Sequence, residues 1–206
     1  MLRFEDALRE MPLIAILRGL RPEEAIAVGD VLFEAGFRVL EVPLNSPEPL
    51  RSIAALVRHF EGRMVVGAGT VLDARAVADV AMTGAKLIVS PNFDAGVIKA
   101  TKSSAMASAP GVGTVTEAFA ALAAGADVVK LFPAEMMPPA VVKAMRAVLP
   151  REANLCPVGG ITPDNMAGFR AAGANSFGIG SALFKPGMTP AEVAASAARF
   201  VAAARA

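Results

Sequence analysis

A (β/α)8 barrel of the α/β class, a TIM barrel with an extra N-terminal helix, is the fold this sequence predicts, and three observations predict it. Eight short apolar runs alternate with longer Ala-rich segments of helical character. The junctions "EAGF", "MTGAK", "AAGAD" and "AAGAN" place Gly36, Gly84, Gly125 and Gly173 where a helix would end and a strand begin. Glycine accepts the positive φ of a helix C′ position, so each reads as the same kind of exit. Helix-start signals stand between the strands as well. Ser46-Pro47 and Thr162-Pro163 read as an N-cap followed by Pro at the first helical position, and Thr114-x-x-Glu117 and Thr189-Pro190-x-Glu192 read as capping boxes. An open doubly wound sheet is the structural alternative, but it usually has fewer units.

Taken in order, the first eleven residues are amphipathic and read as the extra helix, closing the bottom of the barrel. The strands follow as "LIAIL" from Leu13, "RVLEV" from Arg38, "MVVG" from Met64 and "KLIVS" from Lys86. They continue as "AMASA" from Ala105, "DVVKLF" from Asp127, "LCPV" from Leu155 and "NSFGIG" from Asn175. No linker or low-complexity segment interrupts them, so residues 1–206 read as one domain.

Composition excludes several functions. The chain is 54% hydrophobic and 19% charged with a formal net charge of +1, which gives no electrostatic case for nucleic acid or an anionic membrane. It has no Tyr and no Trp, so a base-stacking platform would rest on Phe alone. Cys156, the single cysteine, rules out an internal disulfide framework and reads as an inert buried thiol. No metal site is expected without a His/Asp/Glu cluster at ligand spacing. His59 reads as a polar residue at a helix end. The N-terminus lacks a basic region followed by an apolar stretch, and no run approaches the length of a spanning helix. A cytoplasmic protein is expected.

In barrels of this kind the chemistry collects where the strands end. Those ends present Arg18, Glu41, Thr70, Pro91-Asn92, Pro110-Gly111, Lys130, Gly159-Gly160 and Gly180-Ser181. Alternation groups Ile14 and Ile16 with Arg18, Val39 with Glu41, and Val128 and Phe132 with Lys130. If those faces point inward, Arg18, Glu41 and Lys130 converge near the mouth. Taken singly, Lys130 also fits a lysine snorkelling from a strand end or paired with Glu41, and Phe132 fits a core residue. Thr70 alone fits a turn or a cap. "PVGGIT" and "GIGSALF" follow the last two strands, where glycines let backbone N–H groups approach a phosphate.

With those residues in view, the chain resembles the pyruvate-dependent class I aldolases that cleave 2-keto-3-deoxy-6-phospho sugar acids. The resemblance rests on "PLIAILRG", "LEVPLNSP", "GAGTVL", "SPN", "VVKLFPAE", "VGGITPDN" and "GIGSALF", in that order along the chain. It implies Lys130 as the Schiff-base lysine and Glu41 as the general acid/base. It further implies Arg18 and Thr70 on the pyruvate-derived carboxylate, and Gly160, Gly180 and Ser181, with Gly159 beside them, on substrate or phosphate. A phosphorylated sugar acid as substrate, a homotrimer, and no metal or organic cofactor are the remaining implications. Asn45 in "EVPLNSP" points to the subgroup acting on the galactonate epimer, since gluconate-cleaving relatives usually carry Arg there; "KLFPAE" is shared with the gluconate group. The alternatives are the gluconate epimer, a phosphosugar isomerase using Glu41 as base, and a non-catalytic phosphosugar-binding barrel.

Overall fold

The computed structural model describes residues 2–206. Helix α1 (Phe4–Glu10) precedes strand β1 (Leu13–Ile16), and strands then alternate with helices. The strands are β2 (Val39–Pro43), β3 (Val65–Gly69), β4 (Leu87–Val89), β5 (Ala107–Ala109), β6 (Gly111–Val112), β7 (Val129–Leu131), β8 (Leu155–Pro157) and β9 (Phe177–Ile179). The helices are α2 (Ala25–Ala35), α3 (Pro49–His59), α4 (Ala74–Ala81), α5 (Ala95–Ser103), α6 (Val115–Ala124), α7 (Pro139–Val148), α8 (Met166–Ala171) and α9 (Pro190–Arg205).

All strand pairs are parallel, as short strands joined by helical crossovers require. One curled sheet has the order β5-β4-β3-β2-β1-β9 and a second the order β6-β7-β8. Lys130 N–H donates to the carbonyl of Pro110 at 3.0 Å and Asp127 N–H to that of Ser108 at 2.9 Å, so β7 lies against the β5–β6 run. A parallel bridge between Val158 and Gly178 links the β8 side to β9.

Side-chain alternation divides the buried apolar residues in two. Leu13, Ala15, Leu40, Val66, Ile88 and Leu131 join the large cluster packed against the helices. Ile14, Ile16, Val39, Val65, Leu87, Val128 and Cys156 form a smaller cluster on the opposite, concave face, together with Ala7 and Leu8 of α1. This second face carries the site.

Several boundary expectations hold. Gly36 and Gly125 cap α2 and α6 in the left-handed conformation, and Thr189 with Glu192 forms a complete capping box on α9. The Thr114 hydroxyl accepts from the Glu117 N–H at the start of α6. His59 lies in the last turn of α3, bonded to Asp30 at 2.6 Å. Others are corrected. Helix α3 is capped at Glu48 with Pro49 first, and the Ser46 hydroxyl instead accepts from the Gly19 N–H at 2.9 Å. Helix α8 begins after Asn165, whose side chain accepts from the Thr162 N–H at 3.0 Å. In the fifth strand Ala105 has φ 53°, so pairing starts later, at Ala107, and resumes past Pro110 at Gly111. Among the described residues no helix is long and apolar enough to cross a membrane.

Candidate active site

Strand parity carries the charged groups to the concave face. Glu41 lies on β2 beside Val39, and Lys130 on β7 follows Val128 of the same cluster. They are 2% and 7% exposed. Together with Ile14, Val89, Ala109 and Cys156 they line a void of about 10 Å³. Ile16, Val158 and Gly178 line that void and also a cleft of about 680 Å³ above it. Arg18, Asn45, Phe132, Glu135, Gly159, Gly160, Gly180, Ser181 and Lys185 form the cleft's walls.

Burial governs the ionisation of the inner groups. It raises the Glu41 pKa from 4.5 to about 7, a rise partly offset by the positive charges of Lys130 and Arg18. The Glu41 Oε2 atom is buried without a hydrogen-bond partner, so nothing else compensates its charge. Burial also holds the Lys130 ammonium below the ordinary lysine range; Glu41 and Cys156 oppose that shift and Arg18 reinforces it. The Lys130 Nζ sits 4.6 Å from the centre of the Phe132 ring. Burial pushes the Cys156 thiol up to about 11, which keeps it neutral beside the lysine.

Arg18 is held from two sides. It donates to the Asn45 Oδ1 at 2.6 Å and to the Thr70 hydroxyl at 3.5 Å. Thr70 itself has φ 55°, a left-handed turn directly after β3 that an unbranched residue adopts more easily. Its conformation suits a residue positioned for its hydroxyl.

The glycines separate by cause. A Cβ on Gly69 would strike the Glu41 carboxylate, so this glycine makes room for the acid. A Cβ on Gly159 would strike the carboxylate of Glu135, and one on Gly160 would lie 2.8 Å from its Cγ. Gly180 differs: nothing lies within 4 Å of where its Cβ would be. The space beside it faces the cleft, next to Ser181.

The candidate catalytic and binding residues gather in one region, whereas Pro91, Asn92, Pro110 and Gly111, also at strand ends, line neither the void nor the cleft. Lys130 and Glu41 form its floor, and Arg18, Gly160, Gly180 and Ser181 line the cleft, with Thr70 on Arg18. Three participants were missed or misread. Phe132 is half-buried, packing against the concave cluster while also facing Lys130 from the cleft wall, Asn45 holds Arg18, and Glu135 covers the glycine turn. Parity groups Phe132 with Lys130; the other two contacts join residues far apart in sequence and have no local signal. Among the described residues no cluster of three or more His, Cys, Asp or Glu is placed to hold a metal ion.

Comparison with known proteins places this geometry among others. The family profile described as "Aldolase: KDPG and KHG aldolase" matches residues 4–197. A protein of Rhizobium meliloti (strain 1021) described as a probable 2-dehydro-3-deoxy-6-phosphogalactonate aldolase is 48% identical, over 89% of this chain and 87% of its own length. The 2-dehydro-3-deoxy-6-phosphogalactonate aldolase of Escherichia coli (strain K12) is 43% identical, over 95% of this chain and 96% of its own. The KHG/KDPG aldolase of the same organism is 31% identical, over 81% of this chain and 78% of its own. A solved structure described as native KDPGal superposes with a TM-score of 0.94 at 43% identity, covering 95% of each chain. A designed cage described as a fusion of symmetric oligomeric domains matches at the same TM-score of 0.94 and 43% identity, over 95% of this chain and 73% of that one. The KDPG aldolase of Legionella pneumophila, solved with pyruvate captured as a covalent carbinolamine intermediate, superposes with a TM-score of 0.80 at 26% identity, over 97% of this chain and 95% of that one.

Proposed function

The chain belongs to the KDPG and KHG aldolase family, and from that premise we propose that it cleaves 2-dehydro-3-deoxy-6-phospho-D-galactonate to pyruvate and D-glyceraldehyde 3-phosphate through a Schiff base on Lys130. The observation that carries this reading is the buried pair itself: a lysine with a depressed pKa beside a glutamate whose pKa is raised to about 7. The galactonate epimer is favoured by the 43–48% identity to relatives named for it, against 31% for the KHG/KDPG aldolase. The two curled sheets, joined at β7 and at the Val158–Gly178 bridge, are read as one closed eight-stranded barrel of a single domain, with α1 across its lower end.

A neutral amine is required for attack, and the apolar walls around Lys130 favour it by penalising the ammonium. Lys130 Nζ adds to the C2 ketone, giving a carbinolamine. Glu41, protonated near neutral pH, supplies the proton with which the C2 hydroxyl leaves as water, and an iminium remains. The Glu41 carboxylate then takes the proton of the C4 hydroxyl, directly or through a water. The C3–C4 electron pair moves into the iminium, the aldehyde departs, and an enamine is left on Lys130. Protonation at C3 and addition of water release pyruvate and the free amine. Arg18, aligned by Asn45 and Thr70, holds the carboxylate end, a charge-assisted contact suited to the guanidinium fork. Gly180 and Ser181 take the phosphate end, where backbone groups approach closely, and Gly160 borders the substrate chain between it and Lys130.

Borohydride reduction in the presence of pyruvate tests the mechanism. The expected product carries a reduced pyruvyl group on Lys130, and Lys130→Met abolishes both capture and turnover while the chain stays folded. A folded chain with Lys130 unmodified would sink the Schiff-base assignment. Steady-state comparison of the two epimeric substrates tests specificity, with kcat/KM expected to favour the galactonate epimer at least roughly tenfold.

A further inference from the structure

Glu135 has no part in the mechanism above, yet it supplies the only carboxylate lining the cleft among the described residues. It stands on a short turn, Ala134–Met136, that directly follows Phe132 and Pro133. The Ala134 N–H donates to the carbonyl of Val158 at 2.9 Å, which ties this turn to the chain entering Gly159. The Glu135 side chain lies across the Gly159–Gly160 turn, in the volume that side chains on either glycine would fill. Both glycines have positive φ, 108° and 62°, so the backbone here is shaped to accept it. These glycines are explained by the carboxylate above them before any phosphate is considered.

Position and chemistry then narrow what Glu135 can do. Phe132, whose ring faces the Lys130 Nζ, lines the same cleft as Glu135, and the Glu135 side chain rests on the glycine turn. An ionised carboxylate accepts hydrogen bonds and donates none, so it attracts hydroxyls and repels a phosphate dianion. That repulsion directs the phosphate toward Gly180 and Ser181, where there is open space, and toward Lys185 on the same wall. The part of the substrate left facing Glu135 is the stretch between the reacting carbons and the phosphate.

Resting on the aldolase reading above, we infer that Glu135 is a specificity-determining residue that accepts a hydrogen bond from the substrate hydroxyl next to the phosphate-bearing carbon. In the condensation direction this is the C2 hydroxyl of D-glyceraldehyde 3-phosphate. 3-Oxopropyl phosphate, the 2-deoxy analogue of the same chain length, lacks that hydroxyl and has nothing to offer Glu135.

The test condenses pyruvate with each of the two aldehydes. Glu135→Ala is expected to lower kcat/KM for D-glyceraldehyde 3-phosphate by roughly tenfold or more, the order lost with a hydrogen bond to a charged acceptor. With 3-oxopropyl phosphate the same variant should stay within about threefold of the parent. Glu135→Gln, which keeps an acceptor oxygen, should recover part of the lost discrimination. Capture of pyruvate on Lys130 by borohydride should be unchanged in both variants. Equal losses with the two aldehydes, or no loss with either, would overturn the assignment while pyruvate capture persisted. Failure of the parent chain itself to capture pyruvate would overturn the aldolase reading and this inference with it.

Discussion

Glu41 shows at the residue scale how burial without a partner creates reactivity. With Oε2 lacking any donor, the cost of its charge is met mainly by keeping the proton, hence the rise to about 7. The consequence for stability has a definite sign. Below pH 4.5 the folded and unfolded chains both hold this proton, and the group is neutral in its effect. As pH rises from 4.5 to about 7 the unfolded chain ionises first, so the folded state loses stability, by about 3 kcal/mol at most. Lys130 acts oppositely at higher pH: its depressed pKa makes the folded chain release its proton first, and stability rises with pH until 10.5 is reached. Urea denaturation of Glu41→Gln at pH 5 and pH 8 should therefore show a smaller fall than the parent chain. An unchanged fall would show that Glu41 ionises as an ordinary carboxylate. The same variant should lose turnover, because the amide cannot relay a proton.

Strand β3 makes the case at the scale of the element. Its register with β2 sets Gly67 opposite Glu41 and Gly69 opposite Pro43. A Cβ on Gly67 would come to 2.6 Å from that of Leu87, and one on Gly69 would occupy the place of the Glu41 carboxylate. "VVGAG" is thus a strand that gives up side chains so that its neighbours can point inward. Gly69→Ala is expected to cost about 1–3 kcal/mol through overpacking and to lower kcat by at least roughly tenfold through displacement of Glu41. Thermal denaturation and steady-state kinetics on one preparation check both, and a variant with parental activity would show that Glu41 has room to move. Loop elements were harder to read. Ser46 and Thr162 have the chemistry of N-caps, but a hydroxyl or amide group bonds whichever partner the tertiary fold brings near. For Ser46 that partner is the Gly19 N–H, which binds the β2 loop to the Arg18 loop; at Thr162 it is the backbone N–H that bonds, donating to the Asn165 side chain.

For the molecule as a whole, parallel pairing and two-faced strands determine where chemistry can gather. The convex face is consumed by helix packing, so charged groups at strand ends meet only on the concave side. The outer surface is not uniformly polar: Met82, Met136, Val148 and Leu72 are exposed by 88%, 76%, 57% and 55%. We propose a homotrimer, in keeping with this exposed apolar area and with the match to a domain used in a symmetric oligomeric design. Light scattering after size exclusion should give three times the 21.1 kDa chain mass; a mass of one chain at micromolar concentration would exclude the trimer. A cytoplasmic location is proposed on the same footing, from the enzyme family alone.

The alternation of apolar runs with Ala-rich segments, the recurrent glycine exits and the parity of Ile14-Ile16, Val39-Glu41 and Val128-Lys130-Phe132 were all properties of the sequence alone. They were legible because hydrophobic period and backbone permissiveness are local, and the parity of a strand follows from its own residues. The ordered family blocks added the roles of Lys130 and Glu41. Only the tertiary structure decided that Asn45 grips Arg18, that Gly69 yields to Glu41, and that Glu135 lies on Gly159 and Gly160. It also decided how deeply the lysine and the acid are buried, and hence the direction of each pKa. Those outcomes depend on strand register and on contacts between distant loops, and no period along a single chain encodes them.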